Sequence, residues 1–319
     1  MSKSKYYLAL VIVCIIWGAT PACGRMLSLK VSPVFLTAMR FFFMSLVLFA
    51  FVIASGRAKD LKPCKRDFLI MGLMGMFGVF LHNSLLMTGL QYTTASNTAM
   101  IESIGPTVTC VLAFFIVGER LSLRGWLGIL ISCLGALSIV SHGSFDVLLG
   151  LNFNKGDLII VVCEAMWSCY TVTSWFLSKN ASVAATTAWS SFIGAMMCFA
   201  YGFALNETQV GNLNMTDYFA FAYLVMFSGV IAFLGWNWAA VRVGVSKAGT
   251  FVYVVPFAGA ITGYLLLGEE LFVSQFVGGA VVILGMIITT RSKLALKTSK
   301  SSDTIVKYKA KAKADLGEK

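Results

Sequence analysis

The chain has 319 residues, of which 58% are hydrophobic and only 12% charged, with a formal net charge of +11. A soluble domain carries about 25% charged residues, so this composition excludes an ordinary aqueous globule. It also excludes a nucleic-acid binder, because the basic residues sit between and after apolar runs and not on a face with aromatic readers.

A helix needs about 20 apolar residues to cross a bilayer. Ten stretches qualify: 6–26, 33–55, 68–89, 95–117, 123–141, 157–178, 183–204, 217–240, 247–267 and 272–291. The first follows Lys3 and Lys5 but is kept as a membrane helix, since the repeat described below needs it. Turn and charge signals separate the stretches, as at Ser55-Gly56-Arg57 and Gly118-Glu119-Arg120. The runs are too long and too uniformly apolar for barrel strands. Only helices or closed barrels pair every backbone group in lipid, so the fold class is an all-α polytopic membrane protein. Seven of the eight cysteines lie in these runs and no CxxC occurs, which reads as reduced, buried small side chains. Residues 292–319 lack apolar periodicity and read as a disordered, Lys-rich cytoplasmic tail.

Placing the N-terminus inside puts 21 of the 25 Lys and Arg residues on the inner side. Arg25, Lys30 and Lys155 fall outside, and Arg40 lies within a span. The positive-inside rule therefore predicts N-in, C-in topology.

Offset by 150, the halves align without a gap over 89–137: Ser96 meets Ser246, Pro106 meets Pro256, and Gly118-Glu119 meets Gly268-Glu269. Gly128 meets Gly278, Leu134-Gly135 meets Leu284-Gly285, and upstream Trp17 meets Trp167. The chain thus divides into 1–150, with five helices over about 6–141, and 151–291, with five over about 157–291. Five is odd, so the second unit enters the membrane from the opposite side. Such inverted repeats are a frequent plan for secondary transporters, with the substrate at the repeat interface. Pro106 and Pro256 predict mid-span kinks. Gly72, Gly75 and Gly78, and the Gly128/Gly135 and Gly278/Gly285 pairs, predict close helix contacts.

The stretch GLQYTTASNTAMIESIGPTVTCVLAFFIVGERLSLRGWLGILISCLGALSIV, residues 89–140, resembles the fourth and fifth helices of an EamA-type repeat of the drug/metabolite transporter superfamily. Residues 239–289 resemble the same block of the second repeat, and Trp17-Gly18 and Arg40-Phe41 fit the pattern too. The resemblance covers about 6–291. It implies ten transmembrane helices as two inverted five-helix repeats, N-in and C-in, and export of metabolites by alternating access across a cell membrane, with a bacterial inner membrane as the expected setting. Glu102 and Glu164 lie outside that pattern.

Ionisable groups inside a bilayer are costly and mark functional sites by default. The clear ones are Arg40, His82, Glu102 and Glu164. Counting about 1.5 Å per residue from each outer span end puts three of them near ~10 Å depth and Glu102 near ~12 Å, one shared layer. His82 and Glu102, on consecutive helices, are expected to face each other, and either Glu is a candidate proton carrier. Arg40 reads as a carboxylate anchor or as one half of a buried ion pair. Trp17 and Trp167 fall slightly deeper; Asn237 and Tyr253 are candidate cavity-lining residues. Glu119 and Glu269 are expected to cap the following helix or to accept from loop amides.

No HExxH, Walker A or Rossmann fingerprint occurs, and no paired intramembrane Asp or Gly-x-Ser-Gly setting, so no enzyme, metal site or cofactor is expected. A channel or receptor is a weaker reading, since the repeat suits alternating access. Charges of both signs at one depth favour an amino acid or related zwitterion as substrate, with a proton as coupling partner. Nucleobases, nucleosides or hydrophobic cations are the alternative.

Overall fold

The computed structural model of the protein describes residues 4–102, 104–116, 119–120, 122–141, 143–144, 146, 154–178, 181–243, 251, 254–291 and 295–296. The described chain is helical apart from a two-residue antiparallel pair, β1 (Glu119–Arg120) with β2 (Ala295–Leu296). Seven helical runs are long and apolar enough to cross a membrane: 5–28, 33–54, 65–89, 95–116, 155–174, 183–204 and 215–236. Shorter apolar helices cover 123–139, 254–267 and 273–285. Each of these runs falls on one of the apolar stretches of the sequence. Leu69, Phe219 and Leu265 are 70%, 70% and 69% exposed, which on an apolar helix is a lipid-facing surface.

Several runs are broken where the sequence forces it. The first is α1 (Ser4–Gly18) followed by α2 (Thr20–Ser28). Pro21 stands in the first turn of α2, where its missing N–H is tolerated, and it cannot extend the preceding helix. α3 (Pro33–Ala54) again has proline at its start. The third run is α4 (Lys65–Met74), a π-helical segment (Gly75–Asn83) and α5 (Ser84–Gly89). The fourth is α6 (Ala95–Glu102) and α7 (Gly105–Ile116), broken just before Pro106. α8 (Leu123–Val140) and α9 (Lys155–Ser174) follow. α10 (Val183–Ala204) lies 150 residues after α3, end for end. The eighth run is α11 (Met215–Ala222), a second π-helical segment (Tyr223–Ile231) and α12 (Ala232–Val243). α13 (Val254–Leu267) and α14 (Val273–Arg291) complete the bundle.

The packing maps onto itself when the halves are exchanged. α3 packs on α10, α6 on α13, and α8 on α14. α1 packs on α12 and α13, while α9 packs on the first π segment, α5 and α7. Small residues set these approaches. A Cβ on Gly135 would stand 2.7 Å from Gly278 O, and one on Gly285 2.5 Å from Gly128 O, so α8 and α14 meet backbone to backbone. Gly75 lies against α10 in the same way, 2.6 Å from Ser190 O by that measure. Gly72, expected to do likewise, has nothing within 4 Å and is not a contact.

Loop contacts tie one end of the bundle. Arg25 forms an ion pair with Glu269, and Lys30 Nζ lies 2.7 Å from Asp217 Oδ2. Gln209 N donates to Ser32 Oγ at 3.1 Å. Glu269 does not cap the helix after it. Its carboxylate accepts from Ala95 N at 2.8 Å, Ser96 N at 2.9 Å and Ser96 Oγ at 2.7 Å, and so caps α6 in the other half of the chain. Gly268, at φ 63°, makes the left-handed turn that sends Glu269 back along α13. The Glu119 side chain lies outside the described residues.

Candidate functional site

Arg40 sits in mid-α3, 3% exposed, between the two π segments. Its Nε donates to Leu224 O at 3.2 Å, one terminal nitrogen to Asn83 Oδ1 at 3.2 Å, and the other to Ser228 Oγ at 3.1 Å. Asn83 belongs to the first π segment, Leu224 and Ser228 to the second. A π turn shifts the backbone ladder and frees carbonyls for outside donors, which is why such turns collect at functional sites. Here Leu224 O takes Arg40, Ser228 O takes Trp17 Nε1 at 3.1 Å, and Gly78 O takes Asn83 Nδ2 at 2.7 Å. The expected partnership of Arg40 with a glutamate is absent: among the described residues no ion pair within 4.0 Å joins Arg40, Glu102 or Glu164 to an opposite charge. Arg40 is held by neutral oxygens because α3 faces both π segments, whereas the Glu164 carboxylate turns to Gly105 at the α6–α7 break.

His82 corrects a second expectation. It turns to α9 and not to Glu102. Its Nδ1 lies 3.1 Å from Cys163 O and 3.0 Å from Cys163 Sγ, and the thiol also donates to His82 O at 3.2 Å. The cause is packing: the first π segment rests on α9 and α10, whereas α6, which carries Glu102, rests on α13. Trp167 stacks beside His82 with ring centroids 5.1 Å apart and reaches Tyr170 at 5.0 Å. Trp17, its counterpart 150 residues earlier, packs on the other π segment, with Phe233 at 5.6 Å and Trp236 at 5.3 Å.

Glu102 is the last residue of α6, at the break before Pro106, and is half-buried. Glu164 is 3% exposed, and its carboxylate lies against Gly105, where a Cβ would overlap it. Ser168, one turn further on α9, donates to Gly105 O at 3.2 Å and accepts from Thr109 Oγ1 at 3.0 Å. The polar backbone exposed by the break is thus met by a neighbouring helix, as a kink in lipid requires. Gly105, against which the Glu164 carboxylate lies, opens α7 three residues after Glu102, so the two glutamates flank the same break. Thr107 Oγ1, buried just beyond the break, has no hydrogen-bond partner among the described residues. The side chain of Asn237, on α12, and all of Tyr253 lie outside the described residues.

The structure therefore gathers six of the eight expected residues around the two π segments and the α6–α7 break. It adds Asn83, Ser228 and Cys163, which the sequence reading missed. All three are uncharged and unremarkable in an apolar run; only the adjacency of Cys163 to Glu164 hinted at a role. His82, Cys163 and Glu164 also place nitrogen, sulfur and oxygen donors within 4.8 Å of one another. A separate recess of about 480 Å³ opens beside the Arg25–Glu269 pair, lined by Thr94, Leu267 and Phe272 among others, and does not include the buried charges.

The family model of the EamA-like transporter family matches residues 4–141 and again 154–291. The chain belongs to the EamA-like transporter family. Relatives align along most of it. The uncharacterized transporter YyaM of Bacillus subtilis is 28% identical over 290 residues, covering 90% of this chain and 94% of that protein. The uncharacterized transporter YetK of the same organism is 27% identical over 293 residues, covering 90% of this chain and 87% of that protein. A WAT1-related chloroplastic protein of Arabidopsis thaliana is 24% identical over 282 residues, covering 85% and 66%. A solved crystal structure superposes with a TM-score of 0.60 at 22% identity, covering 91% of this chain and 98% of that one, and shares the fold. This EamA-like protein is thus a multi-pass cell-membrane protein, a transporter whose substrate is a small molecule.

Proposed function

We propose that the protein exports an amino acid or a related zwitterion by alternating access. One observation carries this reading. Arg40 and Glu164 are buried and Glu102 half-buried in this apolar bundle, and among the described residues no ion pair within 4.0 Å neutralises any of the three. Uncompensated intramembrane charge is expensive and is retained where a ligand supplies the countercharge. A zwitterion supplies both at once: its carboxylate takes guanidinium N–H groups of Arg40 not used by Asn83, Ser228 and Leu224, and its ammonium takes Glu102 or Glu164. Trp17, Trp167 and the unpartnered Thr107 hydroxyl offer stacking and a hydrogen bond to the rest of the molecule.

The same reading takes 1–150 and 151–291 as two inverted five-helix repeats, both termini in the cytoplasm and 292–319 as a cytoplasmic tail. The exchange symmetry of the helix packing supports it. Coupling to protons runs through Glu102 or Glu164, and its test begins with Glu102, which ends α6 at the break, while Glu164 lies against Gly105 at the start of α7. The test is a ligand-stabilisation screen of the purified protein. Zwitterionic amino acids should raise its melting temperature. If nucleosides or hydrophobic cations do so and amino acids do not, the alternative substrate class replaces this one.

A further inference from the structure

We infer that His82, Cys163 and Glu164 form a binding site for a zinc-class divalent metal ion inside the membrane. The three residues offer one imidazole nitrogen, one thiol sulfur and one carboxylate oxygen, all within 4.8 Å of one another. They are 7%, 0% and 3% exposed. This mixed donor set suits zinc and its neighbours, which accept nitrogen, sulfur and oxygen together, and does not suit magnesium or calcium, which take oxygen alone. A tetrahedral ion with bonds of about 2.0–2.3 Å needs donor atoms roughly 3.3–3.8 Å apart. Side-chain rotation of less than an ångström or two closes the remaining gap.

The surroundings are arranged as a metal site requires. His82 Nδ1 already lies 3.0 Å from Cys163 Sγ, so a nitrogen and a sulfur donor stand side by side. The Trp167 ring packs against the imidazole at 5.1 Å, tilted by 43°. Gly105 leaves the space that the Glu164 carboxylate occupies. A thiolate and a carboxylate together balance a divalent charge. Three protein donors leave a fourth position open, the arrangement of sites whose ion exchanges or meets a ligand. The residues come from the first π segment and from α9, so a bound ion ties the two halves of the chain together. The site shares Glu164 with the substrate reading, but its readout is metal binding and not transport, so it survives the failure of that reading.

The test uses full-length protein in detergent, freed of metal with a chelator and titrated with Co²⁺. One equivalent should produce a sulfur-to-cobalt charge-transfer band in the near ultraviolet and the visible bands of a tetrahedral ion, both removed by Zn²⁺. Cys163→Ser should abolish the charge-transfer band. His82→Ala and Glu164→Gln should weaken binding at least about tenfold, while Cys64→Ser and Cys133→Ser, which change exposed thiols, should leave it intact. Absence of the band, or its survival in Cys163→Ser, overturns the site. If Cys163→Ser does not fold, zinc-edge X-ray absorption on the wild type loaded with one equivalent decides: one sulfur among nitrogen and oxygen donors supports the site, and a shell without sulfur overturns it.

Discussion

Arg40 meets three oxygens on three different residues, and without it Asn83 Oδ1 and Leu224 O lose this donor while Ser228 Oγ keeps Thr20. Buried hydrogen bonds to a charged group are worth about 1.5–3 kcal/mol each, and stranded acceptors add to the loss, so Arg40→Ala should lower stability by about 2–4 kcal/mol even after relaxation. Melting in detergent would read this directly. Arg40→Lys should fall between, because an ammonium on a flexible stem cannot reach Leu224 O, Asn83 and Ser228 together as a planar fork does. Adding Glu102→Gln to Arg40→Ala should restore little, since no ion pair joins the two. Full recovery in the double mutant would mean that the buried charge balance, and not the hydrogen bonds, holds this region. At this scale the sequence was half legible. A charge in an apolar run announces itself, so Arg40, His82, Glu102 and Glu164 were visible; their partners were not. Neutral Asn83 and Ser228 carry no such signal, and nothing local says that His82 will meet a thiol 81 positions away.

The elements show the same division. Apolar length predicted where the helices lie, and Pro106 predicted a break that appears between Glu102 and Gly105. The π segments were not legible, because one extra residue per turn leaves no periodic trace in a run that is apolar all round. Their side-chain fit is nevertheless complementary. At the positions 150 apart, Tyr170 lies on Gly78, where a Cβ would be 2.5 Å from its ring, whereas the smaller Thr20 bonds Ser228 at 2.7 Å. Glycines test this account of the interfaces. Gly75→Ala should cost about 1–3 kcal/mol, because the new methyl meets the α10 backbone, which cannot give way as a side chain could. Gly72→Ala, three residues earlier with nothing within 4 Å, should be neutral or stabilise by up to about 1 kcal/mol. Equal melting shifts for the two variants would contradict the assigned contact. The expected local role of Glu269 failed for a reason that no single repeat reveals. Its carboxylate reaches across to α6 of the other half, so its function exists only in the assembled bundle.

For the whole molecule, the repeat read from aligned residues reappears as exchange symmetry in the packing, while the charges break that symmetry. The positions 150 residues from Arg40, His82, Glu102 and Glu164 hold Ser190, Ala232, Val252 and Cys14. Two similar frames thus carry one asymmetric set of intramembrane charges, a sound plan for a device that must change shape reversibly around a fixed ligand. The proposed N-in, C-in topology has its own test: a fluorescent protein fused to the C-terminus should glow and a phosphatase fused there should be inactive, and the reverse pattern would place the C-terminus outside. The proposed function stands on zwitterions crossing past Arg40, Glu102 and Glu164. Proteoliposomes containing the purified protein, offered labelled amino acids under an imposed pH gradient, test it most directly. The account predicts protein-dependent transport that responds to the gradient, is strongly reduced in Arg40→Lys, and loses its pH response in Glu102→Gln. No amino-acid transport above empty liposomes, or wild-type transport and pH response in both variants, would contradict it.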